Sequence, residues 1–151
     1  NSWENIITIV IAIGTVIGYF ITRKNELAWK RTEFLCEQSQ YLEDDPVMVE
    51  IITILEGRHP NVAICDIFAS QKLSEQAKLE YLQKFDKFLN FLWRLSYSYL
   101  EVKTISRKEI SGFGSYFWLI SKSQPLLDYC EENGFEDIIK VIDILKRAEK
   151  W

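Results

Sequence analysis

Side chains that could carry out catalysis are few in this chain. His59 is the only histidine, and Cys36, Cys65 and Cys130 are widely spaced with no C-x-x-C pair. A Ser-His-Asp or Cys-His arrangement would depend on His59 alone, and its surroundings do not resemble a nucleophile elbow. The sequence contains no phosphate-binding P-loop and no Rossmann glycine fingerprint. The sequence therefore predicts a protein that is not an enzyme, with no metal site and no cofactor.

Binding chemistry is more plausible, and its first candidate is the segment "GRHPN", Gly57 to Asn61. Arg58 offers a planar fork for a phosphate, His59 a ring and a donor, and Asn61 an amide for a base edge. The segment joins two predicted elements, and connecting loops often carry binding groups. An ordinary polar turn fits the same residues equally well.

A second group of cations surrounds the segment "KTISRK". Lys103, Arg107 and Lys108 lie beside a predicted helix start, where anions are favoured, although a solvated turn is the alternative. Arg94 interrupts an apolar helix as "LWRLS" and is either an edge residue reaching water or a paired internal group. We take Arg58, His59 and Asn61 as the first candidates for ligand contacts, and Arg94, Lys103 and Arg107 as the second.

Glycines mark two further places. Gly14 and Gly18 form a G-x-x-x-G pattern, which allows two helices to approach closely in lipid. We expect them at an oligomer interface, although bland lipid-facing sequence is the alternative. "SGFGSYF", Ser111 to Phe117, has the look of a phosphate-binding turn but falls in a helical pattern, so a close helix crossing is the preferred interpretation.

The element that must position these residues relative to a bilayer is the N-terminal run from Asn5 to Thr22. It is 18 residues without a charge and apolar on all sides, which at about 1.5 Å per residue nearly spans a bilayer's hydrocarbon. Glu4 precedes it and Arg23, Lys24, Lys30 and Arg31 follow it, the reverse of a secretory signal. The positive-inside rule predicts a single-pass protein of the inner membrane with its C-terminal domain in the cytoplasm.

Charge separates the two parts of the chain. Residues 1–31 carry four basic against two acidic side chains, while the whole chain has a net charge of −4, so residues 32–151 sum to −6. The basic collar favours membrane lipid, and the acidic remainder argues against DNA as a partner. We predict a transmembrane anchor over residues 1–24 and a cytoplasmic helical domain over residues 25–151.

Helical patterns cover nearly all of this domain, which predicts an all-α fold. The span is expected to continue as a helix through "NELAWKRTEFLCEQSQYLE", residues 25–43, which contains no Pro or Gly. Asp45 and Pro46 begin a second helix that ends at Gly57. "RHPNVAICDIFAS" breaks the pattern and predicts a loop or short extended piece. A long central helix follows, then a capped helix from Ser106 to about Ile120, a short helix over 125–132 and a last amphipathic helix.

The segments "AWKRTEFL", "LQKFDKFLNFLWRLSYSYLEVKTIS" and "LLDYCEENGFEDIIKVIDIL", together with the span, resemble small bacterial membrane-anchored helical proteins. In size and layout the chain resembles the small membrane effector of type III CRISPR antiviral systems. The resemblance covers nearly the whole chain but rests on layout and apolar pattern. It implies a cytoplasmic domain that binds a cyclic oligoadenylate, such as cyclic tetra-adenylate, and perturbs the membrane helices.

That resemblance makes phosphates and adenines the expected ligand groups for the candidate cations. A cyclic ligand of repeated nucleotides matches a ring of repeated subunits, so a homo-oligomer, as a homotetramer, is expected. The alternative function is a membrane-anchored structural or interaction subunit that docks a protein partner through its helical domain. The sequence alone does not separate the two.

Overall fold

The computed structural model describes residues 2–69 and 71–151, and every regular element within those ranges is helical. The predicted all-α class is confirmed. The elements are α1 (Ser2–Asp44), α2 (Pro46–Leu55), α3 (Ile64–Phe68), α4 (Glu75–Tyr97) with a π-helical turn (Ser98–Val102), α5 (Arg107–Ser111), α6 (Gly114–Ser121), α7 (Gln124–Glu132) and α8 (Glu136–Glu149).

The chain divides into two compact units, Asn1–Gln40 and Tyr41–Trp151. The first consists of most of α1. This helix is long and apolar enough to cross a bilayer, since its most apolar 18-residue window has a mean hydropathy of 2.0 and is not buried at all. The second, here called the helical unit, holds α2 to α8 and the end of α1.

Helix starts in the helical unit follow the capping chemistry of the sequence. The Asp45 carboxylate accepts the backbone N–H groups of Val47 at 3.0 Å and Met48 at 3.2 Å, and Pro46 begins α2. Ser74 caps α4 by accepting the N–H of Ala77. These side chains satisfy backbone donors that the first helical turn leaves without partners.

The centre of the helical unit is α4, which packs against α2, α3 and α8. Its apolar face is wide, as the two stripes in the sequence predict. The buried residues of α4 are Phe85, Phe88, Leu89, Phe91, Leu92, Leu95 and Ser96. The Ser96 hydroxyl is satisfied inside this core, because it donates to the Leu92 carbonyl at 2.8 Å.

Two sequence predictions about elements are wrong. The helix predicted from Ser106 to about Ile120 begins with the expected Ser106–Glu109 capping box, but it ends at Ser111, and α6 begins at Gly114. The segment predicted as a loop or extended piece contains a short helix, α3. It is started by the Asp66 carboxylate, which accepts the Ala63 N–H at 2.9 Å.

Candidate functional site

A cleft of about 470 Å³ lies between α2 and α6 on the helical unit and is here called the α2–α6 cleft. Val49, Ile52 and Thr53 line it from α2, and Tyr116, Trp118 and Leu119 from α6; Leu42 and Glu43, from the last turn of α1, complete its wall with Glu56, Arg58 and Ser115. Most of this lining is apolar or aromatic. The cleft can therefore hold a flat or apolar group, with a smaller number of polar groups to contact it.

The charged edge of the cleft contains Glu43, Glu56 and Arg58. The Nε of Arg58 donates to an oxygen of Glu56 at 2.6 Å, and a second guanidinium nitrogen contacts the same oxygen. Arg58 therefore already holds a carboxylate. A phosphate would have to replace Glu56 as its partner, in a cleft that also contains Glu43.

Tyr116 supplies a hydroxyl in the same cleft. Burial raises its pKa above the ordinary tyrosine value, and the negative charges of Glu43 and Glu56 raise it further. The hydroxyl therefore stays protonated at neutral pH and can donate a hydrogen bond to a ligand.

Trp118 presents an indole ring that is 39% exposed. The ammonium group of Lys122 lies 4.3 Å from the centroid of this ring, a cation–π contact. A flat ring exposed in this way offers a stacking surface for a base or for another aromatic group.

His59 and Asn61 lie in a different, smaller depression of about 190 Å³ with Gly57, Asp66 and Lys72. The Nδ1 atom of His59 accepts two backbone N–H groups, from Asn61 at 3.2 Å and from Val62 at 3.0 Å. Its Nε2 atom lies 3.9 Å from a carboxylate oxygen of Glu50. This histidine holds the turn in shape, so one of its two nitrogens is committed as an acceptor within the chain.

The remaining predicted cations lie outside both depressions. Arg94 is exposed in the last turn of α4, so its charge reaches water. Lys103 is exposed with a left-handed backbone, φ 59°, and Arg107 is exposed as the first residue of α5. Gly14 and Gly18 are exposed on α1, where an added Cβ would meet no atom of the chain within 4 Å.

Four residues of the cleft were missed by sequence reasoning: Glu43, Glu56, Tyr116 and Trp118. The available signal was the pair of amphipathic aromatic residues in "SYFW", but treating 106–120 as one helix hid the face that they occupy. Within residues 2–69 and 71–151, no group of three or more His, Cys, Asp or Glu side chains is placed to hold a metal ion.

Comparison with known proteins adds no assignment, since no family model, curated protein or solved structure matches the chain. The function must therefore be argued from the exposed apolar helix and the α2–α6 cleft.

Proposed function

We propose that the chain is a membrane-anchored binding protein rather than an enzyme, in which α1 is held in a bilayer and the helical unit takes a ligand. The observation that carries this proposal is the apolar stretch of α1, none of which is buried. Leaving that surface in water is unfavourable, and lipid removes the cost. The basic collar after the stretch supports a cytoplasmic location for residues 23–151, at the inner membrane.

The proposed side can be tested with the native cysteines. Cys36 and Cys65 are exposed, whereas Cys130 is buried, and burial raises its thiol pKa to about 12. A membrane-impermeant maleimide should label Cys36 and Cys65 only after the cells are permeabilised, and Cys130 only after unfolding. Labelling of either exposed cysteine in intact cells would show that residues 23–151 lie outside the cytoplasm, the reverse of the proposed topology.

The ligand proposed for the α2–α6 cleft is a cyclic oligoadenylate, whose binding perturbs the membrane in antiviral defence. Arg58, the first predicted phosphate contact, lines this cleft together with Tyr116 and Trp118. Arginine can bind phosphate, the tyrosine hydroxyl can donate to a base or phosphate, and the indole can stack on adenine. The two carboxylates of the cleft oppose such a ligand, so binding requires Arg58 to exchange Glu56 for phosphate.

A route from ligand to membrane exists in the chain. α1 continues without a break from Ser2 to Asp44, and Leu42 and Glu43 of its last turn line the cleft. An occupant of the cleft therefore touches the helix that also carries the apolar stretch. Suppose that the assembly has two arrangements of its membrane helices. Ligand binding can then change their relative populations only to the extent that the ligand has a higher affinity for one arrangement than for the other.

Calorimetric titration of the full chain in lipid nanodiscs against a panel of cyclic nucleotides tests the ligand. Heat with cyclic tetra-adenylate supports the proposal, and no heat with any cyclic oligoadenylate refutes it. Arg58→Ala should weaken binding by roughly tenfold or more, because it removes a charged hydrogen-bond partner. Lys146→Ala, on α8 and outside the cleft, is the control and should bind like the parent.

Two outcomes with these variants would change the proposal. If Arg58→Ala binds as the parent does, Arg58 is not a ligand contact. If Arg58→Ala loses binding but still permeabilises vesicles without ligand, ligand and membrane are not coupled through α1.

A second candidate is an interaction subunit that docks a protein partner, and exposed apolar side chains at the cleft favour it. Val49 is 43% exposed and Trp118 is 39% exposed, a combination typical of helix-binding grooves. A photo-crosslinker at position 118 should then form an adduct with one partner protein in native membranes. The same group at Leu79, which is exposed on α4, is the control, and equal labelling from both positions would argue against a docking site.

A further inference from the structure

An apolar column runs along α1 with a spacing of seven residues. Its members are Ile6, Ile13, Phe20, Leu27 and Phe34, and each side chain is between 45% and 65% exposed. Tyr41 continues the spacing in the helical unit, where its ring packs against Phe91 with 5.5 Å between centroids. Helices supercoil around one another when two positions of each seven-residue repeat are apolar, and this column supplies one of the two.

The part of this column beyond the apolar stretch is the informative part. Lipid can cover Ile6, Ile13 and Phe20, but Leu27 and Phe34 follow the basic collar that begins at Arg23. Leu27 is 52% and Phe34 is 45% exposed. These two side chains lie outside the uncharged stretch, so lipid tails do not account for their exposure.

At the positions that flank the seam of a coiled coil, the charges beside Leu27 and Phe34 differ in sign between the two sides of the column. Lys24 and Arg31, four residues after column positions, lie on one side, and Glu26 and Glu33, one residue before column positions, lie on the other. Two parallel helices paired along this column bring the basic side of one next to the acidic side of the other. Glu26 also lies 3.8 Å from Arg23 in its own chain, but both side chains are more than half exposed.

We propose that the occupant of this column is a second copy of the chain, which pairs in parallel and in register over residues 20–34. A common membrane topology fixes the direction of the two helices and sets the same residue of each copy at the same depth. The seven-residue spacing is the same in both copies, and the two flanks of the column carry opposite charges. Each column residue of one copy therefore faces the same residue of the other copy. This inference does not depend on what the α2–α6 cleft binds.

The pairing depends on the membrane. The positions three residues after the column, which would share the seam, hold Arg23, Lys30 and Glu37. Charged residues there weaken a coiled coil, so this segment would pair poorly when free in solution. Anchoring two chains in one bilayer raises their effective concentration and makes a weak seam sufficient.

Cysteine cross-linking of the full chain in lipid tests the register directly. In a background with Cys36→Ser and Cys65→Ser, either Leu27→Cys or Phe34→Cys is introduced, and mild oxidation is applied in liposomes. A disulfide requires Cα atoms about 4.4–6.8 Å apart, which in-register pairing provides. Both variants should form disulfide dimers several-fold faster than a chain that keeps only native Cys36 and buried Cys130.

Native Cys36 is a matched control because it is exposed on the same helix, about 160° around the axis from Phe34. In the Leu27→Cys chain, a second change Phe34→Glu should slow cross-linking by placing like charges in the seam, whereas Cys36→Glu, used in place of Cys36→Ser, should not. Faster or equal cross-linking through Cys36, or no cross-linking at either column position, would overturn the proposal.

Discussion

Asp45 is the residue on which the start of α2 depends. Besides capping two backbone N–H groups, its carboxylate accepts from the ammonium group of Lys87 at 3.3 and 3.4 Å. Burial acts to raise the pKa of this carboxyl, but the hydrogen bonds from Met48, Lys87 and Val47 outweigh it and lower the pKa below the usual aspartate value. The pKa of Lys87 is raised, chiefly by its hydrogen bond to Asp45.

A group whose pKa is lowered in the folded state stabilises the fold above its unfolded pKa, and the contribution is lost as the pH falls through the folded value. We therefore expect Asp45→Asn to lower the melting temperature at neutral pH. Acidification below about pH 4 should then cost the variant less than it costs the parent. Asp143→Asn, on an exposed position of α8, is the control and should keep the parent's full acid sensitivity. Identical acid profiles for the parent and Asp45→Asn would contradict the assignment.

How well single residues could be predicted depended on whether their partners are local. The role of Asp45 followed from the sequence, because a cap bonds to residues two and three positions on. His59 also bonds locally, but a histidine at a turn has several possible partners, and its phosphate-binding role stays a prediction. Trp118 was missed because its exposure depends on where a neighbouring helix ends.

At the scale of elements, the division between α5 and α6 is what builds the cleft. The spacing of Ile110, Phe113 and Phe117 suits one continuous helix, and all three are buried. The helix is instead interrupted at two glycines, since α5 ends just before Gly112 and α6 begins at Gly114. A Cβ at Gly114 would lie 3.4 Å from a carboxylate oxygen of Glu149, in van der Waals contact with a residue more than thirty positions away. No local pattern in the sequence contains that information.

The central position of α4 could be predicted, and its energetic weight can be tested. Phe88 is fully buried on α4. Phe88→Ala should lower the free energy of unfolding by about 3–5 kcal/mol, because it removes buried apolar surface and leaves a cavity. Leu79→Ala changes an exposed residue of the same helix and should stay within about 0.5 kcal/mol of the parent. Chemical denaturation of both variants measures the difference, and equal midpoints would show that α4 is not the core helix.

At the scale of the whole molecule, the chain combines a solitary apolar helix with a helical unit that has its own core. A lone helix cannot enclose a pore, so any membrane-perturbing function requires several copies. α1 has two faces on which a neighbour could pack. One is the apolar column, and the other carries Gly14 and Gly18. Gly14 lies about 100° and Gly18 about 140° around the axis from Ile13, so the two faces are about 120° apart.

That angle bears on the number of copies. A two-fold pair uses one face of each helix, whereas a closed ring uses two faces, and in a ring of four the neighbours of each helix lie about 90° apart. In rings of five and six the corresponding angles are about 108° and 120°, so a helix that pairs by its column on one side and by its glycines on the other favours a closed ring without fixing the number of copies. The expected homotetramer is one such ring and stays a prediction. If both faces are used, blocking one face should leave pairs rather than single chains.

Gly14→Leu provides that block. Apart from the adjacent residues and the backbone of its own helix turn, no atom lies within 4 Å of a Cβ built at Gly14, so a leucine there leaves the single chain undisturbed and reports only on a neighbour. Native mass spectrometry from lipid should show the parent as tetramers and Gly14→Leu chiefly as dimers that still cross-link through Leu27→Cys. Ala12→Leu adds the same bulk on a third face of the helix, about 160° from Gly14, and should remain tetrameric. Tetramers of Gly14→Leu would show that the glycine face is not an interface, whereas single chains would show that the column does not hold a pair without it.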